Sequence, residues 1–135
     1  MTQPKNSDPS PKRKISEKIS EMAAGFIGGG KTIDEKQNRL TAACSAWNLA
    51  CASPEVRQRQ LEQYGEGYLR FNPATSPTDL ANILKTMESL IERKLKLFPD
   101  DHRQIISGTV VMVGNAFRID VVAATFPKKR AALGD

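Results

Sequence analysis

The sequence predicts an α+β fold, mainly helical, in which about four helices precede a C-terminal antiparallel β-hairpin packed on them. Three observations carry this. Ser76 to Phe98 (SPTDLANILKTMESLIERKLKLF) is the longest uninterrupted helical pattern and the densest in large aliphatic side chains. Two earlier segments open on helix-start signatures, Thr32 with Glu35 and Ser53 with Pro54. Beyond Pro99 the apolar period changes from helical to alternating around Gly114-Asn115.

Residues 1–14 hold Pro4, Pro9 and Pro11 with Ser, Asn and Lys and no apolar pattern, so a disordered basic tail is expected there. Residues 15–126 are expected to form a single helical domain with a C-terminal hairpin, and 127–135 a second disordered basic tail. In the first helix Ile15, Ile19, Met22, Phe26 and Ile27 recur at helical spacing, and Gly28, Gly29 and Gly30 follow as a C-cap and joint. The second, over 32–52, opens on a capping box and lines Leu40, Ala43, Cys44, Trp47, Ala50 and Cys51 along one face. Trp47 is expected to anchor the core, its indole N–H needing one partner. Leu49 points away from that stripe, marking either the helix end or a second contact. The third helix, 53–71, spaces Leu61, Tyr64, Tyr68 and Phe71 as a stripe, with Gly65 and Gly67 as weak points or close-packing positions.

Helix 76–98 is capped by Ser76, carries Pro77 at its first position and Asp79 in its first turn, and is stopped by Pro99. Its apolar residues, from Leu80 through Met87 and Leu90 to Phe98, span an arc of roughly 160° at 100° per residue. That width predicts several neighbours, with this helix as the floor beneath both the hairpin and the helices around Trp47. Lys94 falls inside the arc and is expected to snorkel to water. Ile105 to Val113 and Phe117 to Phe126 read as the two strands. A two-residue turn places Met112, Val110, Gly108 and Ile106 on one face with Phe117, Ile119, Val121 and Ala123. Two strands alone are marginal in water, so the hairpin must lie on helices. Its free edges invite a homodimer with a four-stranded sheet across a two-fold axis, an expectation that a monomer mass in light scattering would remove.

Composition narrows the function classes. The formal charge is +5, but it sits in the ends: Lys5, Lys12, Arg13 and Lys14 against Asp8, then Lys128, Lys129 and Arg130 against Asp135. The body between is neutral, which weakens a nucleic-acid reading. No apolar run approaches the roughly 18 residues of a membrane span, and no apolar stretch follows the N-terminal basic residues, so a cytoplasmic protein without membrane contact is expected. Cys44 and Cys51, seven apart on one helix, lie about 10.5 Å apart at 1.5 Å per residue, too far for a disulfide. They read as reduced core residues.

Gly25 to Thr32 (GFIGGGKT) fits the G-x-x-x-x-G-K-[ST] pattern of a phosphate-binding loop. The strand that must feed such a loop is missing, since an amphipathic helix runs into Gly25, so the glycines are expected to cap and join. His102 is the sole histidine. Asp100-Asp101-His102 is expected to be a solvated turn, and two cysteines are too few for a zinc pattern. No nucleophile–base pair stands out. The expectation is therefore no catalytic residue, cofactor or metal, and a non-enzymatic interaction or regulatory protein with an unknown protein partner. The alternative is a nucleic-acid-binding protein that uses helices 32–52 and 53–71 as a helix-turn-helix-like pair. Contacts to a partner or to nucleic acid would fall on Arg57, Arg59, Lys12, Arg13, Lys14, Lys128, Lys129 and Arg130, with Tyr64, Tyr68 and Leu49 beside them.

Overall fold

A computed structural model describes residues 14–124. The expected tails, Lys14 apart, lie outside the described residues, as do Thr125 and Phe126. The order of elements is α1 (Ile15–Gly28), α2 (Ile33–Ala50), α3 (Pro54–Phe71), α4 (Pro77–Leu97), β1 (Ile105–Val113) and β2 (Ala116–Ala123).

Local chemistry explains most boundaries. Thr32 Oγ1 accepts from the Glu35 N–H at 3.1 Å, and Glu35 reaches back to the Lys31 N–H at 2.8 Å, so the N-cap and the third helical residue brace each other and the chain entering the helix is fixed. Ser76 Oγ accepts from Asp79 N–H at 3.0 Å. Ser53 sits at the N-cap of α3 without accepting such a bond, and Pro54 starts the helix by its fixed φ. At the end of α1 Gly29 is the C-cap, as expected, but not for the conformational freedom of glycine. The C-cap Gly29 is right-handed, with φ −70°, so no left-handed cap is involved. Instead a Cβ on Gly30 would lie 2.8 Å from the Lys36 nitrogen. The joint is glycine-rich because α2 folds back against it.

The centre of the molecule is α2, not α4. Leu40, Ala43, Cys44, Ala46, Trp47, Leu49 and Ala50 are all buried, and they cover roughly 220° of the helix circumference at 100° per residue. A helix apolar over so wide an arc must be surrounded, and its Ala and Cys side chains let neighbours come close. α4 packs against one side of it, also meeting α1 and α3, while β1 runs along the other and β2 lies along α1. The hairpin therefore lies on α2 and α1, and α4 spends its wide arc on the three other helices. Leu49 makes the second contact, and α3 is peripheral: only Leu61 and Gly65 are buried, and Phe71, the expected end of its stripe, is 84% exposed.

The hairpin closes with Val113 opposite Ala116, and Gly114 at φ 63° occupies the first turn position. A left-handed residue followed by Asn115 at negative φ is a type II′ turn. Gly108, Val110 and Met112 share the inner face with Phe117, Ile119 and Val121, as the alternation predicts. Gly108 is obligatory for contact: a Cβ there would sit 3.0 Å from Cys44 Sγ and 3.2 Å from Leu40. The register slips between Ile105 and Ser107. This bulge pairs Ile105, not Ile106, with Ala123, burying Ile105 and leaving Ile106 68% exposed. Among the described residues β2 ends at Ala123, and the Ala124 N–H donates to the Gln104 carbonyl at 2.7 Å; the expected end at Phe126 lies outside them.

Candidate functional site

A two-stranded sheet has two edges, and here they are treated differently. In a two-residue hairpin the closing pair is hydrogen-bonded, so Ser107, Thr109, Val111 and Val113 bond to β2. Gly108, Val110 and Met112 then aim their backbone groups at the outer edge of β1. Gln37 of α2 meets them: its Nε2 donates to Gly108 O and its Oε1 accepts from Val110 N–H, both at 2.9 Å. Three turns further along α2, Asn48 does the same for Ile105, donating to its carbonyl at 3.0 Å and accepting from its N–H at 2.7 Å. Two side-chain amides thus stand in for a neighbouring strand at Ile105, Gly108 and Val110 and cover that part of the edge. Replacing Gln37 by Ala is expected to cost about 1–2 kcal/mol in urea unfolding and to speed amide exchange at Val110. Unchanged exchange there would remove this role.

The edge of β2 is open by comparison. Phe117, Ile119 and Val121 aim outward, and among the described residues only Val121 N–H has a helix partner, Ser16 Oγ at 2.9 Å. Along the rest of this edge runs a groove between α1 and β2, lined by Ser16, Glu17, Ser20 and Ala24 on the helix and Phe117, Arg118 and Ile119 on the strand. The outer face of the sheet carries no layer of described residues either. Val113 and Val122 are each 54% exposed, and Arg118 forks onto Asp120 at 3.0 and 3.1 Å in the middle of the face.

The base of the hairpin is held by a buried ionic cluster. Asp101, 2% exposed, accepts from Lys18 Nζ at 2.8 Å and from Arg103 Nε at 2.9 Å. Its backbone carbonyl takes Lys94 Nζ at 2.6 Å. Lys18 and Lys94 are fully buried, their ammonium groups over the rings of Phe98 (5.2 Å) and Trp47 (5.0 Å). Lys94 therefore does not snorkel, and the turn at Asp101 is not solvated; only Asp100 and His102 face water there. Burial pushes the Asp101 pKa up, but hydrogen bonds from Arg103 and Lys18 outweigh it and hold the carboxyl well below its ordinary range. Desolvation lowers the Lys94 pKa against the pull of Asp101. Trp47 Nε1 donates to Arg103 O at 2.7 Å, which gives the indole its one partner. Every described buried polar side-chain atom is hydrogen-bonded, so the cluster is a packed joint between α1, α4 and β1. No three His, Cys, Asp or Glu side chains converge as metal ligands among the described residues.

The residues singled out from the sequence are not brought together. Arg57 turns back to cap α2, donating to the carbonyls of Leu49, Ala50 and Ala52 at 2.8–3.2 Å. Arg59 is exposed in the second turn of α3 and Lys14 at the N-cap of α1, Tyr64 and Tyr68 are half-buried, and Lys12, Arg13, Lys128, Lys129 and Arg130 lie outside the described residues. In the Gly25–Thr32 loop the Gly29 and Gly30 N–H groups return to helix carbonyls, and Lys36 and Arg39 donate to the carbonyls of Gly30 and Phe26. A loop whose N–H groups are engaged internally has none aimed at a phosphate. Cys44 and Cys51 are free thiols, and burial raises the Cys44 pKa to about 11. Gln37, Asn48, Lys18 and Asp101 are what sequence reasoning missed. A signal existed for Lys18 and Asp101: Lys94 falls inside an apolar helical arc and Lys18 at the margin of another, and two cations so placed call for an anion inside.

No helix of the described residues is long and apolar enough to cross a membrane. Compared with protein-family models, with curated proteins and with solved structures, the chain matches none of them.

Proposed function

We propose that this is a small non-enzymatic interaction protein, acting in the cytoplasm, whose docking surface is the outward side of its C-terminal hairpin. The observation that carries the reading is the asymmetry of the sheet. Gln37 and Asn48 take four backbone groups of the β1 edge, at Ile105, Gly108 and Val110, while among the described residues the β2 edge has one helix bond, at Val121 N–H, and Ile106, Val113 and Val122 are bare. Edges of this kind are ordinarily blunted by charge, proline or cover, because they pair with other chains. Free thiols at Cys44 and Cys51 fit a reducing compartment. Nucleic-acid binding has less behind it, since Arg57 is occupied as a helix cap.

The test is the size of the species that holds the full chain in an extract of its own cells. Wild type is expected to elute well above its own 14.9 kDa. A variant carrying Val113→Lys with Val122→Lys is expected to elute at its own mass with an unchanged helical circular dichroism spectrum. A folded variant with wild-type elution would falsify the reading.

A further inference from the structure

We infer that the occupant of the open β2 edge is a second copy of this chain, paired antiparallel through β2 about a two-fold axis at Ile119. The inference rests on the docking surface proposed above and specifies its partner and register.

Edge availability selects the strand. At the β1 edge the amides of Gln37 and Asn48 hold four backbone groups, at Ile105, Gly108 and Val110. At the β2 edge Phe117 and Ile119 border an open groove beside α1, whose helix side is Ser16, Glu17, Ser20 and Ala24.

The strand sequence selects the partner. Phe117-Arg118-Ile119-Asp120-Val121 reads apolar, basic, apolar, acidic, apolar. Turned about Ile119 and laid antiparallel on itself, Ile119 meets Ile119, and Phe117 meets Val121 of the other copy on the inner face. On the outer face Arg118 falls opposite Asp120 of the other copy, and Asp120 opposite its Arg118. These are non-hydrogen-bonded positions of the new pair, because both residues direct their backbone bonds to β1, so their side chains approach closely. A two-fold axis uses the same patch twice, and this patch is complementary to itself in charge. Val122 then lies beside Ala116 of the other copy, with Val113 beyond it, so a row of exposed aliphatic side chains closes up across the join. Forming the ladder asks Val121 N–H to exchange Ser16 Oγ for the Phe117 carbonyl of the other copy.

In the single chain Arg118 and Asp120 already pair along the strand, so the test must separate the pair within a chain from the pair between chains. Sedimentation equilibrium of the purified full chain is expected to give a dimer. Arg118→Asp places two acids opposite two acids, and Asp120→Arg places two bases opposite two bases. Each variant alone is expected to dimerise at least about tenfold more weakly. An equimolar mixture of the two is expected to recover wild-type mass, because a mixed dimer restores every opposite-charge contact while neither chain regains its internal pair. A monomeric wild type, single variants that dimerise like wild type, or a mixture that stays monomeric each overturns the inference. A purified monomer that still elutes as a larger species in extract removes the second copy alone and leaves the docking surface standing.

Discussion

Replacing Asp101 by Ala is expected to destabilise the protein by about 3–5 kcal/mol, the range for breaking a buried ion pair from one side. The cost arises in what is left behind. Lys18 Nζ, fully buried and 2.8 Å from the carboxylate, would keep its charge in the interior beside the face of Phe98 without the carboxylate that balances it. Asp101→Asn keeps the shape and removes the charge, so it should cost nearly as much; a mild effect would mean that the group acts only as a hydrogen-bond acceptor. The pH dependence carries a definite sign. The Asp101 carboxyl binds its proton less readily folded than unfolded. Its contribution is therefore complete above the ordinary carboxylate pKa of about 4 and is lost as pH falls below it. Urea unfolding between about pH 2 and 7 should show this acid loss in wild type and a flatter limb in Asp101→Asn.

Trp47→Ala is expected to cost a similar amount, about 3–5 kcal/mol, as a large-to-small change at a fully buried position. The ring lies between Phe98, 6.0 Å away between centroids, and the Lys94 ammonium, on the helix that every other packed layer touches. Trp47→Phe isolates the indole N–H, because the Arg103 carbonyl loses its 2.7 Å donor while much of the volume remains; about 1–3 kcal/mol is expected for that alone. This is the only tryptophan, so circular dichroism is the appropriate probe. Equal losses for Ala and Phe would make the hydrogen bond, not the packing, the dominant part.

What could be read in advance follows from which forces are local. The caps at Thr32 and Ser76, the order of four helices and a hairpin, and the pairing of Val113 with Ala116 are set within a few residues. The seat of the hairpin is not. The wide arc of α4 is equally consistent with a sheet or with three helices, and only the girth of α2, built from Ala and Cys, decides between them. Asp100 and Asp101 are indistinguishable in a polar triplet, yet one faces water and the other lies against Lys18. The bulge at Ile106 depends on where Asn48 catches the Ile105 backbone. The proposed docking surface is legible in part. The alternation exposes the strands and their valines, but nothing local tells that Gln37 would reach 71 residues along the chain to cover one edge and leave the other.

The position of Asp101 in the chain has a consequence for biosynthesis. Lys18 belongs to α1 and Lys94 to α4, the first and last of the described helices to be synthesised, while the carboxylate between them follows only after α4 is complete. Until then the emerging helices hold two ammonium groups on faces that are to be buried, and closing over them is costly. Consolidation of the helical layer is thereby tied to arrival of the segment that leads into β1. A chain stalled before Asp101 is a poor substitute for the helical half of this protein, and the quality check on the helices is written into residues made after them.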